Sequence, residues 1–159
     1  MNDLEKRIKN ANLRYRKEQK AVIQKLEVPI RMTQHGLIAT LSTVDFYGAF
    51  SYIKGKQTIG KPIAFEAKET LSTTSFPLAN IHQHQLEYLK LWTIIGGIGF
   101  FIIHFKKIFP DSAFITPVGL VDKYWNTVSG RRSIPLSDFK KQWLTPVDDY
   151  LKYFLPKHD

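Results

Sequence analysis

The chain carries two hydrophobic periodicities, which together predict a mixed α/β architecture. Near the N-terminus apolar residues recur every three to four positions among lysine, arginine and asparagine, a spacing typical of an amphipathic helix with one buried and one basic face. These residues are Leu4, Ile8, Ala11 and Tyr15. Over residues 21–25 and again over 37–46 the pattern becomes strand-like, and the turn-favouring residues Pro29, Gln34, His35 and Gly36 lie between. We therefore expect two strands joined by an extended hairpin arm at about residues 25–43.

The rest of the chain predicts a sheet covered by helices. Strands are expected at 49–53 and 62–68, with turn-forming residues at Lys54, Gly55, Gly60 and Lys61. A helix through Gln85, Leu86, Leu89 and Trp92 is expected to end near Gly96 and Gly97. Residues 98–105 are nearly all apolar, as in a buried central strand. A strand at 113–116, a short helix at 120–125 and a C-terminal helix at 139–154 complete an α/β fold, a mixed sheet flanked by helices.

Composition bounds the class of protein. With 159 residues, 43% of them hydrophobic, and no repeat or linker, the chain predicts a single domain over 1–159. The absence of cysteine excludes disulfides, thiolate zinc sites and cysteine nucleophiles, and it suits a reducing cytoplasm. The charged N-terminus lacks the apolar region of a secretory signal, so we expect the mature protein to begin here. The longest apolar run, 91–105, is shorter than the roughly 20 residues of a membrane helix. We expect a cytoplasmic protein without a membrane segment.

Charge and one short motif give the first indication of chemistry. The chain has 23 Lys plus Arg against 14 Asp plus Glu, a net charge of +9, which favours a polyanionic partner such as nucleic acid. Glu66 and Lys68 are two residues apart in a predicted strand, so their side chains share one face. Asp45 precedes Glu66 by 21 residues, and a hairpin between them would place the two carboxylates side by side.

Two converging carboxylates suit Mg²⁺, or Mn²⁺ in its place, because both ions prefer oxygen ligands and also accept phosphate oxygens. Such a cation lowers the pKa of a bound water and stabilises charge on a phosphoryl transition state. Lys68 would orient that water or offset the charge. The pattern therefore predicts phosphodiester hydrolysis.

Simpler interpretations exist for each of these residues. Glu66 and Lys68 form at minimum a weak charge pair on a solvated strand, and Asp45 is also suited to begin a turn before Gly48. His82 and His84 are expected to point in nearly opposite directions on a helix, which argues against a zinc site and favours hydrogen bonding near the helix start. The chain has no P-loop, dinucleotide-binding glycine pattern or GxSxG elbow, which excludes those nucleotide-driven and serine-hydrolase classes.

The flanking sequence strengthens the catalytic interpretation. Val44-Asp45 followed by Glu66-Ala67-Lys68 resembles the PD-(D/E)xK nuclease motif, with Val44 at the position of the nominal proline. The segments FEAKET, SFPLANIHQHQ, GGIGFFIIHF and GRRSIP resemble, in the same order, segments of RecU-type Holliday junction resolvases. The resemblance covers nearly the whole chain. It implies a restriction-endonuclease-like fold, a β-hairpin stalk that enters the junction, and a homodimer whose twofold symmetry matches a four-way DNA substrate cut by paired nicks.

The resemblance also implies roles for individual residues. Glu5 matches a further acidic active-site residue, so the implied metal ligands are Asp45, Glu66 and Glu5, with Lys68 as the fourth catalytic residue; the alternative is that Glu5 belongs to an acidic first helical turn. Gln85 would contact phosphate or a metal-bound water. The other expected DNA contacts are Lys25, Arg31, His35, Arg131 and Arg132. The alternative for the basic residues is that they are only solvated surface side chains.

Three departures from the family pattern bear on junction selectivity. The arm is shorter and less basic at its tip, the long basic N-terminal extension is missing, and the hairpin between Asp45 and Glu66 is longer and carries Lys54, Lys56 and Lys61. Two alternatives therefore stay open. One is a less selective PD-(D/E)xK nuclease acting on branched or duplex DNA, and the other is a basic architectural protein that binds DNA without cutting it.

Overall fold

The computed structural model describes residues 1–27, 30–39, 44–127, 130 and 132–156, with only the main chain at 30, 31 and 37–39. Its α-helices are α1 (Asp3–Lys17), α2 (Gln83–Ile94) and α3 (Val118–Trp125). Its strands are β1 (Ala21–Lys25), β2 (Ile30–Thr33), β3 (Gly36–Ala39), β4 (Phe46–Lys54), β5 (Gln57–Thr70), β6 (Ser75–Pro77), β7 (Ile98–Phe105), β8 (Ser112–Pro117), β9 (Ser133–Pro135) and β10 (Leu144–Pro146). Short 3₁₀ segments are η1 (Leu78–Asn80), η2 (Leu136–Asp138), η3 (Lys141–Trp143) and η4 (Val147–Phe154).

A six-stranded sheet in the order β1-β4-β5-β7-β8-β10 forms the middle layer. β5 pairs antiparallel with β4 and parallel with β7, which makes the sheet mixed. Alternation along β5 sends Phe65 and Ala67 to the face covered by α1 and η4, whereas Ala64 lies in the core under α2 and α3. Glu66 therefore points to the α2 face. The prediction of a mixed α/β sheet flanked by helices is confirmed.

The first helix forms where its periodicity predicts it. The side chain of Asn2 caps α1 by accepting a hydrogen bond from the main-chain N–H of Glu5 at 2.9 Å. Leu4, Ile8, Ala11 and Tyr15 are all buried against the sheet. These side chains supply the apolar contact that a 15-residue helix needs for stability.

A separate two-stranded sheet lies where the arm is predicted. β2 and β3 pair antiparallel from Ile30↔Ala39 to Thr33↔Gly36, with Gln34 and His35 in the turn. A continuous strand over 37–46 is wrong, because Val44 and Asp45 are not in a strand. β4 begins at Phe46 and belongs to the main sheet, whereas β3 pairs with β2. Residues 28, 29 and 40–43, at the two ends of the predicted arm, lie outside the described residues.

The β4–β5 hairpin is longer than its glycine pattern predicts. Its ladder continues to Lys54↔Gln57, so Gly55 and Lys56 form the turn, with Gly55 at a φ of +64°. Gly60 and Lys61 are not turn residues, because they pair with Ser51 and Phe50 inside the ladder.

The predicted C-terminal helix over 139–154 is wrong. β10 pairs with β8 in this stretch, and Pro146 at the end of β10 has no N–H to donate within a helix. The following segment η4 is interrupted at Asp149, whose backbone is not helical (φ −147°, ψ 53°). Val147, Tyr150 and Leu151 are nevertheless buried against α1, so the apolar spacing reflects burial and not an α-helix. Among the described residues, every helix is too short or too polar to cross a bilayer.

Candidate active site

Asp45 and Glu66 are brought together by the antiparallel register of β4 and β5. Phe46 pairs with Phe65, so Asp45, one residue before β4, lies next to Glu66. Its Oδ2 accepts a hydrogen bond from the main-chain N–H of Ala67 at 3.2 Å, and its main-chain oxygen accepts one from Leu26 at 2.7 Å. These two bonds hold the Asp45 carboxylate against β5, beside Glu66.

The Glu66 carboxyl is completely buried, with 0% of its surface exposed. It lies opposite Phe101 of β7, and within the described structure neither of its oxygens has a hydrogen-bond partner. Burial, reinforced by the negative charge of Asp45, raises the pKa of Glu66 from 4.5 to about 9. Without a cation the site therefore holds a carboxyl that is neutral at pH 7.

Lys68 supplies the nearby positive charge. Its Nζ lies 3.8 Å from Glu66 Oε2, close enough for an ion pair but too far for a hydrogen bond, and its side chain is 19% exposed. This charge lowers the pKa of Glu66, but less than burial and Asp45 raise it. Lys68 therefore does not satisfy the buried oxygens of Glu66.

The donor set fits a hard divalent cation. Two unpartnered oxygens on Glu66 and the carboxylate of Asp45 are oxygen ligands of the type preferred by Mg²⁺ and Mn²⁺. Within the described residues no three acidic, histidine or cysteine side chains are close enough together to hold a metal, so the remaining ligands would come from water or phosphate.

Gln85 lies on α2, the helix that packs over the face to which Glu66 points. It is buried, and its Oε1 accepts a hydrogen bond from the main-chain N–H of His82 at 3.0 Å. The expectation that His82 and His84 diverge is wrong, because His82 precedes the helix; their rings stack at 5.6 Å with an interplanar angle of 9°.

Within the described residues, no hydrogen bond or ion pair joins Glu5 to Asp45 or Glu66. α1 packs on the opposite face of the sheet, and no ion pair or side-chain hydrogen bond of Glu5 is found in the described part of the chain. Glu5 lies at the end of the sheet where β7 finishes. Arg7, in the same helical turn, donates a hydrogen bond to the main-chain oxygen of Pro110, which follows β7. Its assignment to the metal site stays a prediction.

Comparison with known proteins identifies the family. The family described as "RecU: Recombination protein U" matches residues 2–155. A Holliday junction resolvase RecU of Pediococcus pentosaceus is 32% identical, in an alignment covering 94% of this chain and 79% of the relative. Those of Limosilactobacillus fermentum and Staphylococcus aureus (strain JH9) are also 32% identical, covering 93% and 94% of this chain and 75% and 76% of the relatives. The chain belongs to the RecU family.

The DNA contacts expected from the RecU resemblance lie on different elements of the fold. Lys25 ends β1 and is half-buried, and His35 is exposed at the tip of the β2–β3 hairpin. Arg132 is exposed. Its main-chain oxygen accepts a hydrogen bond from the main-chain N–H of Leu78 at 2.8 Å, and Leu78 lies between β5 and α2. The Arg31 side chain and Arg131 lie outside the described structure.

Sequence reasoning missed two features of this RecU site. The anchoring of Asp45 on the main chain of Ala67 leaves no mark in the sequence, because any residue except proline offers that N–H. The grouping of four basic residues of α1 is visible in the sequence, as two sets spaced by seven residues. Arg7 and Arg14 share one side of the helix, and Lys9 and Arg16 share another.

Proposed function

We propose that this protein is a metal-dependent endodeoxyribonuclease that resolves four-way DNA junctions by paired, symmetric nicks. The observation that carries the proposal is the buried Glu66 carboxyl, whose two oxygens lack partners beside Asp45 and Lys68. A buried carboxyl without hydrogen-bond partners costs stability unless it binds a ligand, so its presence here favours a catalytic cation site over a structural role. Membership of the RecU family supports DNA junctions as the substrate.

Asp45 and Glu66 would hold Mg²⁺, with Mn²⁺ able to replace it. When bound, the cation supplies Lewis-acid stabilisation of a phosphate oxygen and a more acidic water. Lys68, 3.8 Å from Glu66 and still 19% exposed, would orient the attacking water and offset charge on the phosphate. Gln85 would contact phosphate from the same face, and Glu5 would complete the acidic set from the end of α1.

A homodimer is part of the proposal because two symmetric nicks need two active sites. The outer surface of α2 supports such an assembly. Leu91, Ile94 and Ile95, close together at its C-terminal end, are 58%, 76% and 73% exposed. Clustered exposed apolar side chains of this kind are typical of protein–protein contacts. Sedimentation should give a dimer at working concentration, and a monomer would count against paired nicking.

The test uses an immobile four-way DNA junction labelled on each strand in turn, with Mg²⁺ and a matched linear duplex. We expect symmetric nicks in the junction, no nicks with Asp45→Ala, and normal nicking with Glu87→Gln, which changes an exposed carboxylate on α2. Full activity of Asp45→Ala would refute the site. Equal cutting of duplex would leave a nuclease without junction selectivity, and tight binding without cutting by the intact protein would favour the architectural alternative.

A further inference from the structure

Four of the six basic residues of α1 fall on two flanks with different surroundings. On the first flank, Arg7 makes two hydrogen bonds to the carboxylate of Asp148, from Nε at 2.9 Å and from Nη2 at 2.8 Å. Arg14, two turns further on, donates to the main-chain oxygen of Asp148 at 2.6 Å and lies 3.7 Å from the Asp149 carboxylate. These two guanidinium groups join α1 to the C-terminal segment and are committed to structure.

The second flank carries Lys9 and Arg16. Each is two residues beyond an arginine of the first flank, which places it about 200° further round the helix. Both are exposed, and neither takes part in the ion pairs of the described structure. With Lys25 of β1 they line a groove with a volume of about 200 Å³, in which Glu27 is the one acidic lining residue within the described part of the chain.

This groove runs toward the catalytic end of the sheet. Lys25 pairs with Phe46, the residue after Asp45, and Leu26 donates its main-chain N–H to Asp45. Since α1 ends at Lys17 and β1 begins at Ala21, Arg16 lies next to the connection between them, and Lys9 and Lys25 lie toward the other ends of these two elements. A DNA strand that leaves the active site along this groove would bring its phosphates past Lys25, Lys9 and Arg16.

We propose that the groove formed by Lys9, Arg16 and Lys25 binds the phosphodiester backbone of the DNA flanking the cut. The inference rests on the proposed nuclease function. Lys9 and Arg16 are about 10 Å apart along the helix axis, which corresponds to about three base-pair steps of 3.4 Å rise along the axis of a DNA duplex. Contacts of this kind neutralise phosphates without reading bases, so they add affinity for duplex and junction alike.

The test compares the double variant Lys9→Ala/Arg16→Ala with Lys17→Ala/Lys152→Ala, which removes the same charge from exposed positions outside the groove. Binding to fluorescent junction and duplex is measured by anisotropy without divalent metal, over a series of salt concentrations. Loss of two phosphate contacts lowers the slope of log K against log salt by about 2. We expect that reduction for the groove variant on both DNAs, and a smaller one for the control.

Equal slopes for the two double variants would overturn the groove, since the effect would then be one of net charge alone. Circular dichroism melting should be unchanged in both variants because all four side chains are exposed. The two hypotheses fail separately. Asp45→Ala should lose cleavage and keep the wild-type salt slope, whereas a groove-specific loss of slope supports the groove even if the intact protein cuts no junction.

Discussion

Replacing Glu66 with glutamine tests whether the active site holds a carboxyl that is unfavourable without metal. Burial, with the charge of Asp45, raises the pKa of Glu66 from 4.5 in the unfolded chain to about 9 in the folded protein. The folded state therefore binds a proton that the unfolded state releases. The contribution of Glu66 to the free energy of unfolding is fully present below pH 4.5 and is lost as the pH rises toward 9. Glu66→Gln removes this dependence, because its side chain stays neutral throughout.

The expected magnitude follows from proton linkage. Each pH unit between the two pKa values costs about 1.36 kcal/mol, so wild type should lose about 4 kcal/mol of this contribution between about pH 5.5 and 8.5 relative to Glu66→Gln. Such a loss is a large part of the 5–15 kcal/mol that stabilises a typical domain. The variant should therefore be the more stable protein at alkaline pH, although we expect it to be inactive.

The assay is urea unfolding of metal-free protein at several pH values, followed by circular dichroism. Glu87→Gln, an exposed change of the same kind on α2, should follow wild type at every pH. Parallel stability curves for wild type and Glu66→Gln would refute the reasoning, because they would mean that Glu66 titrates normally in the folded state. Added Mg²⁺ should stabilise wild type at pH 8.5 more than Glu66→Gln, since the glutamine side chain supplies no anionic ligand at position 66.

Three further predictions concern packing, catalysis and the contact between α1 and the C-terminal segment. Gly48→Ala would place a Cβ 1.9 Å from a main-chain oxygen of β1, so it should destabilise the protein by about 3 kcal/mol or more in urea unfolding, whereas Gly60→Ala, with open space around it, should change stability little. Lys68→Ala should reduce the rate of junction cleavage by about 10²-fold or more while leaving the affinity for DNA nearly unchanged, and a normal rate would remove Lys68 from the catalytic set. Asp148→Ala removes the carboxylate that accepts two hydrogen bonds from Arg7, so it should lower the free energy of unfolding by about 1–3 kcal/mol at neutral pH. A loss below about 0.5 kcal/mol would mean that the pair contributes little to stability.

The local part of the site could be predicted because strand geometry fixes it. Side chains two residues apart in a strand must share a face, so Glu66 and Lys68 were certain to be neighbours once β5 formed. The run at 98–105 is rich in β-branched and aromatic residues and follows two glycines, which predicts a buried strand, and it forms β7 beside β5. The prediction of the C-terminal helix failed because apolar spacing of three to four residues reports burial on one side, and 3₁₀ turns after a proline produce nearly the same spacing.

By itself, the sequence determined the helices and strands with strong periodicity, the shared face of Glu66 and Lys68, and the family. Tertiary structure alone decided that Glu66 is fully buried, that Asp45 is anchored on Ala67, and that Arg7 and Arg14 bond to the C-terminal segment. Arg7 finds its partner Asp148 at a separation of 141 residues, and no local pattern encodes such a pair. The physical reason is that periodicity specifies which side of an element is covered, whereas burial, pKa and charge pairing depend on which distant segment covers it.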